Sequence, residues 1–439
     1  MAPNAKQMQR TPEEWIEIGD IEAKKENHRE AIKYYSNAVE LNPRASFTYF
    51  KRGSSFMAIN SFREALSDFN NAIVLNPDFS FAFFKRGVVY QEMGQFVKSI
   101  EDFTSAIELN KTFSFAYYKR GYSYYITKNF TGAIEDFDHA LELNPTYMLA
   151  YLYRANSYFE MKQSEKAIED YNRVVELDPK QEKAFISRAI ANSNLGKYKE
   201  AIRDYTYAIQ INPDSVIAHN YRGLVYNRLK SFEKAIEDFT YVIKKNPNSA
   251  DAYNNRGIAN FAMKDYARAV KDYDAALELS GNSPNIFFNR GNANFNMGNY
   301  MDAVIDYDKA VEIDQQFVAA YYGRGNANMM LEQYKDAIKD FTKAIQINPK
   351  YVQAYIGRGN CFMKMKHTKK ALEDFTLAIE IKPDYGHAYL NRGIAFRANS
   401  QPEQAVSDFN QFIKLNFGKS NTVNQVRQWI RKLGYEPEN

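Results

Sequence analysis

Cysteine and histidine are both scarce in this sequence. Its 439 residues contain one cysteine, Cys361, and five histidines. A single cysteine excludes an intramolecular disulfide and a cysteine-ligated metal cluster, and it favours a reducing compartment. The histidines lie at unrelated positions, without the spacing of metal ligands. We therefore expect neither a metal nor any other cofactor.

Long apolar runs are also absent. No segment has the roughly 18 consecutive apolar residues that a membrane-spanning helix needs, and no apolar run of signal-peptide length lies near the N-terminus. Neither charge is in large excess, since 57 basic and 53 acidic residues give a net charge of +4. This balance makes nucleic acid an unfavoured partner. We expect a cytoplasmic protein that does not insert into membranes.

A repeat of 34 residues runs through most of the sequence. An arginine followed by glycine or alanine recurs at this spacing, and counting back one period from the first arginine gives Ile18 and Gly19. The array therefore has twelve repeats between residues 12 and 417, which indicates a stacked structure. The eleven arginines are Arg52, Arg86, Arg120, Arg154, Arg188, Arg222, Arg256, Arg290, Arg324, Arg358 and Arg392.

Each repeat has the spacing of two amphipathic helices. The small residue after the arginine allows the helices to approach closely, and an alanine twelve residues later does the same from the second helix. Only Ser99 departs from this alanine. An aromatic residue follows four positions further on, so both residues share one helical face and should be buried. The aromatic residues are Tyr35, Phe69, Phe103, Phe137, Tyr171, Tyr205, Phe239, Tyr273, Tyr307, Phe341, Phe375 and Phe409.

The first repeat resembles the tetratricopeptide repeat at six positions. These are Trp15, Gly19, Ala31, Tyr35, Ala38 and Pro43. The resemblance extends over roughly residues 12–417 and implies an all-α fold, a right-handed superhelical α-solenoid of about twelve antiparallel helix pairs. It also implies that the first helix of each pair lines a concave groove in which other proteins bind.

The resemblance divides the chain into three parts. Residues 1–11 form a short extension, residues 12–417 a single solenoid, and residues 418–439 a capping helix and tail. In the last part, Ser420 is the predicted N-cap and Gly434 the predicted stop. This helix either covers the apolar face of the last repeat or exposes Trp429 to dock a partner.

One feature departs from the commonest pattern of the family. Eleven repeats carry arginine where many members carry leucine, and each of these repeats carries an aspartate sixteen residues later. A charge beside a packed interface is costly unless it is paired, so the pattern predicts an Arg–Asp ladder within or between neighbouring repeats. The alternative is a row of arginines that binds an acidic ligand. The aspartates are Asp68, Asp102, Asp136, Asp170, Asp204, Asp238, Asp272, Asp306, Asp340, Asp374 and Asp408.

We do not expect an enzyme. Cys361 takes a position that is usually alanine in the other repeats, which indicates a buried structural thiol. The Arg-Gly pairs lie inside predicted helices, where they cannot cradle a phosphate. The repeats occupy nearly the whole sequence and leave no room for a catalytic domain.

The groove is where the repeats differ, and its early part is aromatic with a row of lysines. Such a surface suits an extended partner segment that carries acidic and apolar residues. These aromatic residues could instead pack between repeats. On the geometry of the family, the positions are Phe47, Phe50, Lys51, Phe81, Phe84, Lys85, Phe115, Tyr118, Lys119, Tyr122 and Tyr125.

The same positions become rich in asparagine in the last five repeats. Asparagine side chains can hold the main chain of a peptide without reading its sequence. The residues are Asn254, Asn255, Asn289, Asn292, Asn296, Asn326, Asn360 and Asn391.

Together these features predict a non-catalytic scaffold that holds partner proteins or extended peptide segments. We expect a subunit of a large assembly such as a ciliary, cytoskeletal, transport or import complex. The alternative is an RNA-binding helical-repeat protein, for which the lysines and aromatic rings would form the binding surface. Binding to RNA would weaken steeply with salt, whereas peptide binding through aromatic anchors would not. The sequence does not determine whether the chain self-associates.

Overall fold

The structure is a computed structural model, and it describes residues 10–415 and 421–438. Within these residues the chain forms 25 α-helices and no strand. It divides into two compact units, Met1–Ala218 and His219–Asn439. The extension predicted at residues 1–11 and the end of the last repeat at Phe417 fall largely or wholly outside the described residues.

Twelve helices lie in the first compact unit. They are α1 (Pro12–Lys24), α2 (His28–Leu41), α3 (Ser46–Ala58), α4 (Phe62–Leu75), α5 (Ser80–Glu92), α6 (Phe96–Leu109), α7 (Ser114–Ile126), α8 (Phe130–Leu143), α9 (Met148–Glu160), α10 (Ser164–Leu177), α11 (Glu182–Asn194) and α12 (Tyr198–Ile211).

The next helix, α13 (Val216–Arg228), includes the residues at which the two units divide. The second unit continues with α14 (Phe232–Lys245), α15 (Ala250–Ala262), α16 (Tyr266–Ser280), α17 (Pro284–Met297), α18 (Tyr300–Ile313), α19 (Val318–Met330), α20 (Tyr334–Ile347), α21 (Val352–Lys364), α22 (Thr368–Ile381), α23 (Gly386–Ala398), α24 (Pro402–Leu415) and α25 (Asn421–Lys432).

Each repeat forms one helix pair, and its second helix buries the predicted stripe. The alanine and the aromatic residue of this stripe are inaccessible or nearly so; Ala65 and Phe69, for example, are both 0% exposed. A Cβ atom placed on Gly53 would lie 3.0 Å from Cε1 of Phe69, so the small residue of the first helix is required by the ring that packs against it. The predicted close approach of the two helices is confirmed.

The turn within each helix pair contains one residue in the left-handed region. Among the twelve repeats this residue is glycine at Gly94, Gly196 and Gly298 and another amino acid elsewhere, for example Lys264 with φ 66°. Side chains other than glycine make this conformation unfavourable by about 1–2 kcal/mol. In nine repeats the sequence has no glycine to indicate this turn, because lysine, glutamate, asparagine or serine occupies the position at which glycine would cost least free energy.

The C-terminal helix packs on the last repeat. Val426 and Ile430 of α25 are fully buried in a cluster with Phe409 of α24. The ring of Trp429 lies 5.8 Å from that of Phe409 and under the guanidinium of Arg397. The apolar side of α25 therefore faces the repeat, while the proposed N-cap Ser420 lies outside the described residues.

Candidate partner-binding surface

The predicted Arg–Asp ladder is confirmed. Nε and Nη2 of Arg52 donate to the two carboxylate oxygens of Asp68, both at 2.8 Å, and the same fork recurs in seven later repeats. In the other three, Nε of Arg256, Arg290 and Arg324 is shared between both carboxylate oxygens at 3.0–3.1 Å. Asp68 is 2% exposed. Each pair thus joins the two helices of one repeat with the strongest geometry available to these side chains.

The ladder also joins neighbouring repeats. The Nη1 atom of Arg52 donates to Ser36 Oγ at 3.1 Å, and Nη1 of Arg154 donates to Asp138 Oδ1 at 2.5 Å. In both cases the acceptor lies sixteen residues before the arginine, on the second helix of the preceding repeat. The arginines are thus bound at these interfaces, which leaves the lysines as the candidate cations for an acidic ligand.

Burial and ion pairing have opposite effects on the pKa of the ladder aspartates. Burial raises the pKa of the Asp102 carboxyl, although the hydrogen bonds from Arg86 favour its charged form. The hydrogen bond from Arg52 to Asp68 raises the pKa of the Arg52 guanidinium. The ladder therefore contains charges whose removal from water is offset only while both partners are present.

Buried asparagines support this ladder in four repeats, and sequence reasoning missed them. The Nδ2 atoms of Asn260, Asn294 and Asn328 donate to the ladder aspartates at 2.9–3.0 Å, and that of Asn192 donates more weakly to Asp204 at 3.4 Å. Each asparagine follows its arginine by four residues, a spacing that places both on one helical face. That spacing was the available signal, and it distinguishes these structural amides from the asparagines predicted to line the groove.

The predicted aromatic set separates into exposed and packed residues. Phe47, Phe81 and Phe115 are 54%, 49% and 53% exposed at intervals of 34 residues. Their neighbours in the set pack towards the next repeat, with ring-centroid distances of 4.8 Å for Phe50–Phe79, Phe84–Phe113 and Tyr118–Tyr147. The first three residues contact the same rings, at 6.1, 5.0 and 5.3 Å, but keep about half of their surface available to a partner. The second three are more deeply packed between repeats.

Two tyrosines complete the set. Tyr122 and Tyr125 contact the ring of Tyr153 on the next repeat, at 4.9 and 5.5 Å between centroids. Both are partly buried. They form the edge of an aromatic cluster that continues from the packed row.

The three predicted lysines differ in their partners. Nζ of Lys51 lies 2.5 Å from Oδ2 of Asp20, a residue of the first repeat that sequence reasoning missed. Within the described residues Lys85 has no hydrogen-bond or ion-pair partner, and burial lowers the pKa of its ammonium. Burial also lowers the pKa of Lys119, whose Nζ donates to the neutral side chain of Gln91.

A buried polar network explains why Ser99 replaces alanine. Its hydroxyl lies 2.9 Å from that of Ser123, to which Nε2 of Gln91 donates at 2.9 Å. Gln91 also donates to the main-chain carbonyl of Lys119 and accepts from its Nζ, both at 3.1 Å. The network therefore holds Lys119 in place without neutralising it.

The predicted asparagine set also divides. Nδ2 of Asn289 lies 3.4 Å from Oδ1 of Asn254, and the main-chain carbonyl of Asn255 accepts from Asn227. Asn292 accepts from the hydroxyl of Tyr307 at 2.7 Å and, through its carbonyl, from Asn296.

Four members of the asparagine set keep unpaired side chains. Within residues 10–415 and 421–438, the side-chain amides of Asn255, Asn326, Asn360 and Asn391 have no hydrogen-bond partner. All four are partly buried. They therefore retain donors and acceptors for a ligand.

The single cysteine is buried away from solvent. Cys361 is fully buried, and burial raises its pKa to about 12, so the thiol is not a thiolate nucleophile near neutral pH.

Among the described side chains, no group of three His, Cys, Asp or Glu is placed to hold a metal ion. None of the described helices has the length and apolar composition to cross a membrane.

Several solved structures are similar to this chain. The crystal structure of MamA is 28% identical over 36% of this chain and 93% of its own, with a TM-score of 0.35. Yeast Tom70 is 16% identical over 96% and 95%, with a TM-score of 0.40. A tetratricopeptide repeat protein from Parabacteroides merdae ATCC 43184 is 19% identical over 58% and 98%, with a TM-score of 0.46. None of the curated proteins matches the chain in sequence.

Family models match more than half of the chain. A model described as tetratricopeptide repeat matches residues 114–147, 149–181, 250–283, 284–317, 318–351 and 352–385. A model described as TPR repeat matches residues 194–230, and a further tetratricopeptide repeat model matches residues 15–44 and 82–113. The chain therefore belongs to the tetratricopeptide repeat family, whose arrays act as protein-interaction scaffolds.

Proposed function

We propose that this chain is a non-catalytic scaffold that holds extended segments of partner proteins, and that these segments carry acidic and apolar residues. The site is a surface of the first compact unit formed by Phe47, Phe81, Phe115, Lys85 and Lys119, here called the phenylalanine–lysine surface. The observation that supports this most directly is Lys85, a partly buried ammonium without a partner among the described residues.

An ammonium that is partly removed from water is unfavourable unless an anion compensates it. The equivalent Lys51 is compensated by Asp20, and the equivalent position is uncharged in the eight later repeats. Lys85 has no such anion, and Lys119 has no direct ion pair, although the charge of Glu92 partly opposes the effect of burial on its pKa. A carboxylate of a partner would supply the missing ion pair. Binding would then be strengthened, because it relieves the unfavourable burial of the lysine ammonium in the free protein.

The exposed phenylalanines supply the apolar part of the site. Their regular spacing along successive repeats matches an extended segment that meets one ring after another. Phe47 also lies 4.9 Å from the ammonium of Lys51, so the apolar and basic rows are adjacent. Large aromatic side chains of this kind supply most of the affinity at protein interfaces.

The wider role that we propose is that of a subunit in a large assembly, such as a ciliary, cytoskeletal, transport or import complex. Candidate surfaces in both compact units would allow more than one partner. RNA binding is the competing function. It is less well supported because one of the three lysines is already paired and the net charge is only +4.

A random peptide library displayed on phage tests the site. The full chain is used for selection, and enriched peptides are synthesised and titrated against Lys85→Gln/Lys119→Gln. We expect one peptide class rich in Asp, Glu and apolar residues, with at least about tenfold weaker binding to the variant. Lys128→Gln/Lys162→Gln, which changes two exposed lysines, is the matched control and should bind like the unmodified chain.

Two results would contradict the proposal. One is the absence of an acidic class, or equal affinity of such peptides for the lysine variant and the control. The other is tight binding of a twelve-nucleotide uridine RNA that disappears steeply with salt and requires the same lysines, which would assign the surface to RNA.

A further inference from the structure

A recess of about 260 Å³ lies in the second compact unit, between the first helices of two consecutive repeats, α17 and α19. Its walls are the rings of Phe288, Phe295, Tyr322 and Tyr351 and the side chains of Asn292 and Asn326. No charged residue lines it. Its chemistry is therefore unlike that of the phenylalanine–lysine surface.

Gly323 is one of the residues that line the recess. Gly323 takes the repeat position that Lys85 and Lys119 occupy in earlier repeats. A Cβ atom on Gly323 would lie 2.8 Å from Cζ of Tyr307, which is closer than real contacts allow. The glycine thus lets the ring of Tyr307, which also lines the recess, approach the helix backbone.

The two amides at the recess are not equivalent. Oδ1 of Asn292 accepts from the hydroxyl of Tyr307 at 2.7 Å, which fixes that side chain. Asn326 has no side-chain hydrogen bond to any described residue. An amide offers both a donor and an acceptor, the pair of groups that the main chain of an extended peptide presents.

The volume indicates how much of a ligand the recess can hold. Pockets that enclose whole small molecules usually measure about 300–1,000 Å³. At about 260 Å³ the recess is below that range. It is suited to one side chain of a larger ligand, and the aromatic walls without charge favour an uncharged apolar side chain.

We propose that this recess is a second peptide-binding site. It takes one large uncharged apolar side chain of an extended partner segment, while the Asn326 amide hydrogen-bonds the main chain of that segment. The inference rests on the proposed function in one respect, that the partner is a polypeptide. It concerns a different compact unit and requires no acidic residue in the ligand.

Filling the recess tests this site. Ala319 lines it and is partly exposed, so Ala319→Leu should occupy the space without disturbing Tyr307. Asn326→Ala removes the amide, and it changes the volume of the side chain less than Ala319→Leu does. Gln353→Leu is the matched control, because Gln353 is exposed at the same repeat position one repeat later. Circular dichroism and thermal melting establish that each variant is folded.

The probes are synthesised peptides from a random twelve-residue phage library selected against the full chain. We expect a class with an uncharged apolar residue and no acidic requirement. Its binding should weaken at least about tenfold in both Ala319→Leu and Asn326→Ala. It should be unchanged in Gln353→Leu and in Lys85→Gln/Lys119→Gln.

The possible failures are distinguishable. Loss of the acidic class alone would refute the phenylalanine–lysine surface and leave the recess supported. Absence of the uncharged class, or its full binding to folded Ala319→Leu, would overturn the recess as a peptide site. Binding of a uridine RNA that is lost only in Ala319→Leu would also overturn it, because the recess would then hold a base.

Discussion

The ammonium of Lys51 lies 2.5 Å from a carboxylate oxygen of Asp20, across the interface between the first and second repeats. The hydroxyl of Tyr35 donates to the other carboxylate oxygen at 2.7 Å. This contact neutralises one of three lysines that occupy equivalent repeat positions. It therefore decides which lysines remain available to an acidic partner.

Removing this carboxylate should strengthen the binding of acidic segments. In Asp20→Asn, Lys51 loses its ion pair and joins Lys85 and Lys119 as a lysine without a direct ion-pair partner. We expect affinity for a selected acidic peptide to rise severalfold at low salt, and the gain to shrink as salt is added. Fluorescence anisotropy at two salt concentrations measures both effects. An unchanged affinity would show that Lys51 does not contact the bound segment.

Replacing Lys85 with methionine should stabilise the protein while weakening acidic ligands. Burial lowers the pKa of Lys85 from its ordinary value of 10.5, so the folded state binds this proton less tightly than the unfolded state. The free energy of unfolding therefore rises with pH between the pKa of Lys85 in the folded state and 10.5. The melting temperature of Lys85→Met should exceed that of the unmodified chain near neutral pH, and the difference should shrink as pH approaches 10.5.

Thermal melting at several pH values measures this difference. Lys128→Met changes an exposed lysine and should leave the melting temperature nearly unchanged. A lower melting temperature for Lys85→Met would mean that the lysine stabilises the free protein, which would remove the main support for the phenylalanine–lysine surface.

Breaking one pair of the ladder should be strongly destabilising. In Arg188→Met, Asp204 keeps a charge at 2% side-chain exposure without its bidentate partner. Loss of one member of a buried pair typically costs about 3–5 kcal/mol. Denaturant unfolding should show this loss in part of the array, because repeats contact mainly their neighbours.

Two further variants test the cause of this loss. Arg188→Met/Asp204→Leu should recover much of the stability, since it removes both charges. Lys309→Met, which breaks an exposed pair with Glu312, should have little effect. Equal losses in the single and double variants would attribute the damage to packing rather than to the unpaired carboxylate.

Glycine should stabilise the turns in which another residue has positive φ. Lys264 has φ 66°, so Lys264→Gly should raise the free energy of unfolding by about 1 kcal/mol. Lys271→Gly, at an exposed position inside α16, should lower it by roughly the same amount. Opposite signs at two lysines seven residues apart would show that the turn conformation is responsible.

The repeat architecture and the ladder followed from the sequence because the same local pattern occurs many times. A helix pair of 34 residues cannot bury its apolar face alone, so stacked neighbours are the only stable arrangement. The recurring aspartate after each arginine predicted the buried pairs for the same reason. The third hydrogen bond, from Arg52 to Ser36 for example, was not visible, because its acceptors vary among serine, threonine, asparagine and aspartate.

The sequence by itself determined the number of repeats, the buried stripe and the pairing of charges, because these depend on spacing within one repeat. Tertiary structure alone decided that Lys51 is neutralised by Asp20 and that Lys119 is held by Gln91. It also decided that Gly323 and Tyr307 lie against each other at one recess. Each of these results depends on contacts between side chains of different helices. The regular spacing of the repeats does not indicate which individual residues make such contacts.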